Sequence, residues 1–174
     1  MKPSRVTCNL YYQNVRSLRR KSESVYQNMS LGEFEIVCFT ETWLSKDFEG
    51  CEFFPDTYSV YRCDRDYEVV GGERGGGCLV AIRSDIDSTQ LNLSSLISRF
   101  PLLDIVGCKI LGRKNNELFL YCLYVPPHFC NQDFEDFLEL FGQLLTDQCR
   151  IVIVGDFNVT RFSEPDSRDV GVDM

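Results

Sequence analysis

Residues 151–159, IVIVGDFNV, end an apolar run with Asp156 and Asn158. Such a continuous aliphatic run predicts a β-strand that is buried on both faces. The exit of a buried strand is a place where a rigid sheet can aim polar side chains into a cleft. Asp and Asn are also common turn formers, so GDFN taken alone indicates a loop as readily as a site.

The rest of the chain alternates short apolar strands with a few helices. Further strands are predicted at 6–14, 35–41, 58–65, 75–85, 88–93, 102–111 and 116–125, with a hairpin turn at 112–117. Helices are predicted at 17–32, ended by Gly32, and at 131–148, with Asn131 as N-cap. The second helix should present one apolar face, made of Phe134, Phe137, Leu138, Phe141, Leu144 and Leu145. This mixture predicts an α+β sandwich, with sheet packed on sheet and helices outside.

Length, composition and charge limit the number of domains and the kinds of partner that the chain can have. The chain has 174 residues, of which 44% are hydrophobic, and this is enough for the core of one domain. The formal net charge of -8 excludes nucleic-acid binding through overall positive charge, so any such contact must be local. No apolar run approaches the length of a membrane span, so no membrane contact is expected.

The nine cysteines are scattered singly, without a C-x-x-C pair, and the chain opens with no apolar signal segment. We therefore expect reduced thiols and an intracellular protein, in the nucleus or the cytoplasm, rather than a secreted one. Cys38, Cys78, Cys108 and Cys122 lie within apolar runs, where a cysteine behaves as a small hydrophobe. Their spacings do not favour a zinc site.

Four apolar strands end in a polar or phenolic group, and these groups could converge if the strands are neighbours. They are Asn14, Glu41, Tyr124 and the pair Asp156 and Asn158. A carboxylate with amide oxygens suits a hard cation such as Mg²⁺, and a second carboxylate can orient a water. Amide and phenol donors can hydrogen-bond phosphate oxygens, so the set predicts metal-assisted phosphodiester hydrolysis. Each residue alone also fits a plain role as turn, cap or strand-end aromatic.

Two other features are polar or glycine-rich. The densest basic cluster is Arg16, Arg19, Arg20 and Lys21, and it indicates either a DNA-backbone contact or a solvated helix face. Candidates for an extension of this cluster are Arg62, Arg65 and Arg74. The segment VVGGERGGGCLVAI lacks the Gly-Lys-Ser/Thr ending of a phosphate-binding loop, so a flexible turn before a core strand is favoured.

Five segments in order, QNVRSL, CFTETWL, GGGCLVAI, LYVPP and IVIVGDFNV, resemble the endonuclease–exonuclease–phosphatase superfamily. Within it they are most similar to the apurinic-endonuclease-like domain of non-LTR retrotransposons. The resemblance implies a four-layer α/β/β/α sandwich, incomplete at the C-terminus, with a domain over residues 1–162 and a polar, disordered tail over 163–174. It also implies a Mg²⁺- or Mn²⁺-dependent DNA endonuclease, which in retroelements nicks target DNA for reverse transcription.

The resemblance assigns a role to each strand-end residue. Glu41 is implied as the principal metal ligand and Asn14 as the asparagine beside the metal. Tyr124 would contact the scissile phosphate. Asp156 would orient the attacking water, and Asn158 would hold a phosphate oxygen.

The sequence departs from the family pattern after Asn158. Relatives continue to an Asp that orients a His and to a closing Ser-Asp-His motif, whereas residues 159–174 contain no histidine. His128, the one histidine of the chain, follows the Tyr124 strand and is expected to be an exposed loop residue. We therefore expect weak or absent activity, since loss of a positioned acid or base costs about 10²- to 10⁴-fold in rate.

Two alternatives to the endonuclease remain open. One is another phosphodiesterase or phosphatase of the superfamily, acting on phosphoinositides or sphingolipids. The other is a non-catalytic remnant that binds DNA or a protein partner. If much of the second sheet is missing, an exposed apolar sheet face would favour such a partner or self-association.

Overall fold

The computed structural model describes residues 8–68, 70, 75–112, 116–148 and 150–158. The strands in these ranges are β1 (Leu10–Asn14), β2 (Ile36–Thr40), β3 (Tyr58–Cys63), β4 (Cys78–Arg83), β5 (Ser88–Gln90), β6 (Asp104–Leu111), β7 (Glu117–Tyr124) and β8 (Ile151–Asp156). The helices are α1 (Ser22–Ser30), α2 (Ser94–Arg99) and α3 (Asn131–Leu145), with a 3₁₀ turn at Gly50–Glu52.

The strands form two four-stranded sheets, each with one parallel pair. The first sheet has the order β1-β2-β4-β3 and the second has the order β5-β6-β7-β8. β1 runs parallel to β2, with Asn14 opposite Thr40, and β7 runs parallel to β8, with Tyr124 opposite Asp156. The other neighbouring strands are antiparallel. Because parallel neighbours end at the same edge of a sheet, each pair delivers two strand ends side by side.

Apolar side chains fill three successive spaces. Residues such as Cys38, Val80 and Leu120 pack between the two sheets. The outer face of the first sheet packs against α1 through Met29, and the outer face of the second packs against α2 and α3, which bring Leu96, Phe137 and Phe141. This confirms the predicted α+β sandwich with four layers.

The buried run of β2 explains why its sequence carries no alternation. Ile36–Thr40 are all buried, since this strand lies between β1 and β4 and both of its faces are covered. Cys38, Cys78, Cys108 and Cys122 are buried free thiols, as expected for cysteines that act as small hydrophobes.

Three details of the predicted elements were wrong. The first helix begins at Ser22 rather than at residue 17, because Arg16 and Ser17 have φ of 43° and 81° and cannot start a helix. The N-cap of α3 is Cys130, whose thiol accepts from the Asp133 N–H, and Asn131 is already helical. The sequence analysis also missed α2.

Exposed apolar side chains lie on the outside of the sandwich. Leu138 and Leu144, predicted to lie on the apolar face of α3, are 49% and 42% exposed. Ile153 of β8 is 39% exposed. The second sheet covers the inner face of the first, so no open inner face accounts for this exposure in the described ranges. Further exposed apolar side chains, Leu31 at 73% among them, lie outside β8 and α3.

Several predicted features fall partly or wholly outside the described residues. Among them are the start of the first strand, part of the glycine-rich segment, the tip of the hairpin between β6 and β7, and the tail over 163–174. Within the described ranges, no helix combines the length and the apolarity that a membrane crossing requires.

Candidate active site

The ends of the two parallel strand pairs meet at one edge of the sandwich. Asn14 ends β1, Glu41 follows β2, Tyr124 ends β7 and Asp156 ends β8. We call these four residues and Asn158 the strand-end site. The first two belong to one sheet and the other three to the second, so the site exists only where the sheets face each other.

Asn14 joins the two sheets at this site. Its amide nitrogen donates to Glu41 Oε1 at 2.9 Å and to Asp156 Oδ2 at 2.7 Å. Carboxylates offer only acceptors, so the NH₂ group, with its two hydrogens, is the half of the amide that must face them. The amide oxygen of Asn14 accepts from the Arg16 N–H at 3.2 Å. One side chain therefore holds two carboxylates together and separates their charges.

Glu41 stands in a loop whose backbone is strained. Glu41 and Trp43 have φ of 53° and 56°, a conformation that costs a residue other than Gly about 1–2 kcal/mol. Backbone bonds hold the loop from two sides: Ser17 N donates to Glu41 O at 2.7 Å, and Trp43 N donates to Gly76 O at 3.0 Å. The glycine-rich segment thus supports the loop of Glu41, and it is followed by core strand β4, as expected for a turn.

Asp156 and Asn158 are tied to the end of the Tyr124 strand. The carbonyl of Asp156 accepts from Val125 N at 2.9 Å, and the amide nitrogen of Asn158 donates to the Val125 carbonyl at 2.9 Å. The Asn158 N–H donates to Asp156 Oδ1 at 3.2 Å. One hydrogen of the Asn158 amide is therefore committed to backbone, and the second is available for another acceptor.

Tyr124 is 6% exposed and lies between charged groups. Burial raises the pKa of Tyr124 to about 12; the Glu41 carboxylate acts in the same direction, and the Arg65 guanidinium opposes it. The phenol therefore keeps its proton at neutral pH and can act as a hydrogen-bond donor.

The basic residues that the sequence grouped together lie in different environments. Arg16, Arg19 and Arg20 are exposed, and Arg19 lies over the Phe48 ring at 4.8 Å. The ammonium of Lys21 donates to the Val15 carbonyl, which anchors the loop after β1.

The predicted extension of this cluster was wrong for Arg62 and Arg65. Arg62 pairs with Asp64 and donates to the Ser45 carbonyl at 2.9 Å. Arg65 is buried and pairs with Asp104 at 2.7 Å. Arg74 lies outside the described residues.

Sequence reasoning missed Asp104, which is 2% exposed and begins β6. Burial raises the pKa of Asp104, while Arg65 and the Gly77 N–H lower it. An acid inside the apolar run LLDIVGCKIL was the signal that could have identified it, because a buried carboxylate needs a partner. His128 is exposed, as expected for a loop histidine.

The donors of the strand-end site fit a hard divalent cation. Glu41 and Asp156 bring carboxylate oxygens from two sides, and the NH₂ group of Asn14 holds the two carboxylates near each other. In the described part of the chain no three His, Cys, Asp or Glu residues are grouped so that they could hold a metal. Mg²⁺ binds through one or two carboxylates and keeps several waters, so a site of this kind suits it better than it suits zinc.

Comparison with known proteins identifies the architecture. The profile of the Endonuclease/Exonuclease/phosphatase family matches residues 6–170. No curated protein matches the sequence at a significant level.

Three solved structures are similar to the chain at low identity. The endonuclease domain of TRAS1, a telomere-specific non-LTR retrotransposon, has a TM-score of 0.62 at 15% identity over 89% of this chain and 61% of its own. TDP2 of D. rerio, complexed with a single-strand DNA product, has a TM-score of 0.58 at 12% identity over 87% of this chain and 61% of its own. An AP endonuclease from Archaeoglobus fulgidus has a TM-score of 0.56 at 20% identity over 91% of this chain and 60% of its own. At such identities the likeness shows the fold alone, and the chain spans about three fifths of the length of these structures.

Proposed function

Since the chain belongs to the Endonuclease/Exonuclease/phosphatase family, we propose that its strand-end site hydrolyses phosphodiester bonds of DNA with the help of Mg²⁺ or Mn²⁺. The observation that carries the proposal is the bridge through Asn14, which holds Glu41 of one sheet and Asp156 of the other within 2.9 Å and 2.7 Å of a single nitrogen. Two carboxylates brought together in this way repel each other, and pairs of like charges of this kind are typical of active sites.

Asp156 is the proposed acceptor for the attacking water. Its Oδ2 accepts from Asn14, and its Oδ1 accepts a longer bond from the Asn158 N–H. Oδ1, the oxygen that Asn14 does not hold, is the proposed acceptor of the proton of the water as the water oxygen forms its bond to phosphorus. The bond from phosphorus to the 3′ oxygen breaks, and the leaving oxygen takes a proton from solvent while Asp156 returns its proton to solvent. The products are a 3′-hydroxyl end and a 5′-phosphate end.

Tyr124 and Asn158 are proposed to hold the phosphate. The neutral phenol of Tyr124 donates to one phosphate oxygen, and the second amide hydrogen of Asn158 donates to another. Both donors are fixed before the substrate arrives, since Tyr124 is buried and Asn158 is bound to the Val125 carbonyl. Donors fixed in advance stabilise developing negative charge without a reorganisation cost.

Glu41, with Asn14 beside it, is the proposed holder of the cation. A divalent cation bound there supplies charge neutralisation and polarisation of a phosphate oxygen. The strained loop of Glu41 is consistent with this role, because residues held in rare conformations occur where a side chain must be aimed.

DNA is the proposed partner, and the exposed Arg16, Arg19 and Arg20 support this choice. They follow Asn14 directly in sequence, so their positive charge is next to the strand-end site although the net charge of the chain is -8. Phosphate contacts of this kind give affinity without sequence preference. Target-site nicking, as in retrotransposition, and an intracellular location belong to the same proposal.

Slow turnover is also part of the proposal. The exposed His128 follows the Tyr124 strand rather than the Asp156 strand, so the proposed chemistry relies on the fixed donors and the cation.

Supercoiled plasmid tests the proposal. The 174-residue chain is incubated with plasmid and Mg²⁺, and open-circle product is measured against the same reaction in EDTA. We expect slow nicking that needs the cation and drops at least about 100-fold in Glu41→Ala and Asp156→Ala. Glu139→Ala, which removes an exposed carboxylate on α3, is the matched control and should nick like the wild type.

Two results would contradict an active nuclease. One is no nicking by a chain whose circular dichroism shows that it is folded; a DNA-binding remnant is then the better description if a labelled duplex still binds. The other is nicking that survives in Asp156→Ala, which would mean that a contaminant or a different site does the chemistry.

A further inference from the structure

A buried ion pair lies behind Tyr124. Arg65 Nη2 is 2.7 Å from Asp104 Oδ2, and the two side chains are 7% and 3% exposed. The guanidinium carbon of Arg65 lies 5.3 Å from the centre of the Tyr124 ring. Asp104 is also the direct partner of Tyr124 in the antiparallel pairing of β6 with β7.

The position of the guanidinium is fixed by several elements. Arg65 Nη2 also donates to the Leu102 carbonyl at 2.7 Å, and Asp104 Oδ2 also accepts from Gly77 N at 2.9 Å. A Cβ at Gly76 would come within 2.4 Å of Arg65 Nε and Cζ, so the guanidinium occupies the space that a side chain would need there. Little freedom is left for Arg65 to move away from the ring.

Stability alone does not explain the buried pair of Arg65 and Asp104. Burying two charges costs several kcal/mol per ion, and apolar residues of similar volume often replace such a pair without loss. In addition, Arg65 Nε is buried and has no hydrogen-bond partner among the described residues, a defect that costs about 1–3 kcal/mol. The guanidinium is thus held by Nη2 alone, and it lies over the Tyr124 ring at the distance of a cation–π contact.

We propose that Arg65, held in place by Asp104, is a positioning residue that fixes the ring of Tyr124 so that its hydroxyl points into the strand-end site. The inference rests on the proposed function, since the hydroxyl is the proposed phosphate donor. Asp104 cancels the charge of Arg65, so the pair attracts no anion over a distance and acts on the geometry of the ring. Loss of the pair should therefore lower kcat and leave KM almost unchanged.

The test uses a variant that removes the whole pair, Arg65→Met/Asp104→Leu, because the single Arg65→Met would leave a buried, unpaired carboxylate. Arg62→Met is the matched control: Arg62 is also paired to an aspartate and partly buried, but it donates to the carbonyls of Ser45 and Phe48, away from Tyr124. In the nicking assay we expect kcat to fall about 10- to 100-fold in the double variant and to stay near the wild-type value in Arg62→Met.

A double-mutant cycle separates positioning from a general structural role. In a Tyr124→Phe background, removal of Arg65 and Asp104 should cause no further loss of kcat, because the hydroxyl that they position is already gone. Losses that multiply instead would overturn the proposal, since the pair would then act on something other than Tyr124.

Nuclear magnetic resonance gives a readout that needs no turnover. The ring signals of Tyr124 are assigned by their absence in Tyr124→Phe, and their line shapes over a range of temperatures give the flip rate of the ring. The flip rate should rise in Arg65→Met/Asp104→Leu, because the ring is no longer held, and should keep the wild-type value in Arg62→Met. An unchanged flip rate in the double variant would overturn the proposal. A wild type that shows these ring signals but does not nick DNA would reject the proposed function while keeping the positioning of the ring.

Discussion

Aliphatic side chains and four thiols fill the space between the two sheets, whereas carboxylates and amides gather at the edge where the same strands end. Between the sheets, burial raises the pKa of Cys108 to about 12 and that of Cys78 to about 11, so both stay neutral. At the edge, Glu41 and Asp156 share one amide, and the buried Thr42 Oγ1 and Trp43 Nε1 have no hydrogen-bond partner among the described residues.

The backbone differs between the two regions as well. The strands in the middle have extended geometry, while the edge holds left-handed residues that are not glycine, among them Glu41, Trp43 and Asn158. Strain and unsatisfied polar groups cost free energy and collect at functional sites. The comparison indicates that packing in the middle of the sandwich stabilises the fold, whereas the strand-end site lowers its stability.

The largest effect on stability is expected at Gly155, where the backbone of the neighbouring strand leaves no room for a side chain. A Cβ at Gly155 would lie 2.0 Å from the Leu123 carbonyl oxygen, so Gly155→Ala must push β8 away from β7. We expect a loss of about 3 kcal/mol or more in the free energy of unfolding, measured by urea denaturation. Gly142→Ala, at an open position in α3, should instead stabilise by about 0.5–1 kcal/mol. Equal effects at the two glycines would break the comparison.

The second-largest effect on the free energy of unfolding is expected in the space between the two sheets. Cys108→Ser places a hydroxyl in the apolar space between the sheets and is expected to cost about 1–3 kcal/mol. The same change at the exposed Cys130 puts a better capping group at the start of α3 and should stabilise by up to about 1 kcal/mol. Thermal unfolding of both variants checks the opposite signs, and a neutral Cys108→Ser would show that the middle tolerates polar groups after all.

This contrast also explains what the sequence could predict. The middle was predictable, because its strands are apolar runs such as that of β2, and their burial follows from the pattern alone. The order of the motifs likewise pointed to the family and its four layers, which the family profile and the solved structures confirm.

The edge was predictable only as a set of residue types. The sequence named Asn14, Glu41, Tyr124, Asp156 and Asn158, but it could not supply the bridge through Asn14, because that contact joins residues 142 positions apart. It also could not tell a surface arginine from a buried one. Arg65 looks like the other arginines of the chain in the sequence. Only the fold shows that it is buried, because it pairs with Asp104, which lies opposite Tyr124 in the pairing of β6 with β7.

The third effect is the pH dependence of stability that comes from Tyr124, which lies at the edge but is as buried as the side chains between the sheets. Its folded pKa of about 12 is above the value near 10 of an unfolded tyrosine. Its contribution to stability is therefore constant below about pH 10, and it is lost as the pH rises from 10 to 12, because the unfolded chain releases the proton first. The loss over this range should be about 2 kcal/mol, because each unit of difference in pKa corresponds to about 1.4 kcal/mol.

Denaturation at several alkaline pH values measures this slope. Burial also raises the pKa values of Tyr12, Tyr58 and Tyr121, so the informative quantity is the difference between the wild type and Tyr124→Phe. The variant should lose less stability over the same range. Identical slopes would mean that the phenol of Tyr124 is solvated like any surface tyrosine.

The smallest expected change in stability accompanies the largest expected loss of activity. Asp156→Asn keeps the size of the side chain and removes one of the two charges that meet at Asn14, so the lost hydrogen bond and the relieved repulsion should nearly cancel. We expect the free energy of unfolding to stay within about 0.5 kcal/mol of the wild type while plasmid nicking is lost. Urea denaturation of this variant beside Cys108→Ser gives the check. A loss of stability as large as that of the thiol variant would mean that the carboxylate pair supports the fold, and the division between a stabilising middle and a functional edge would fail.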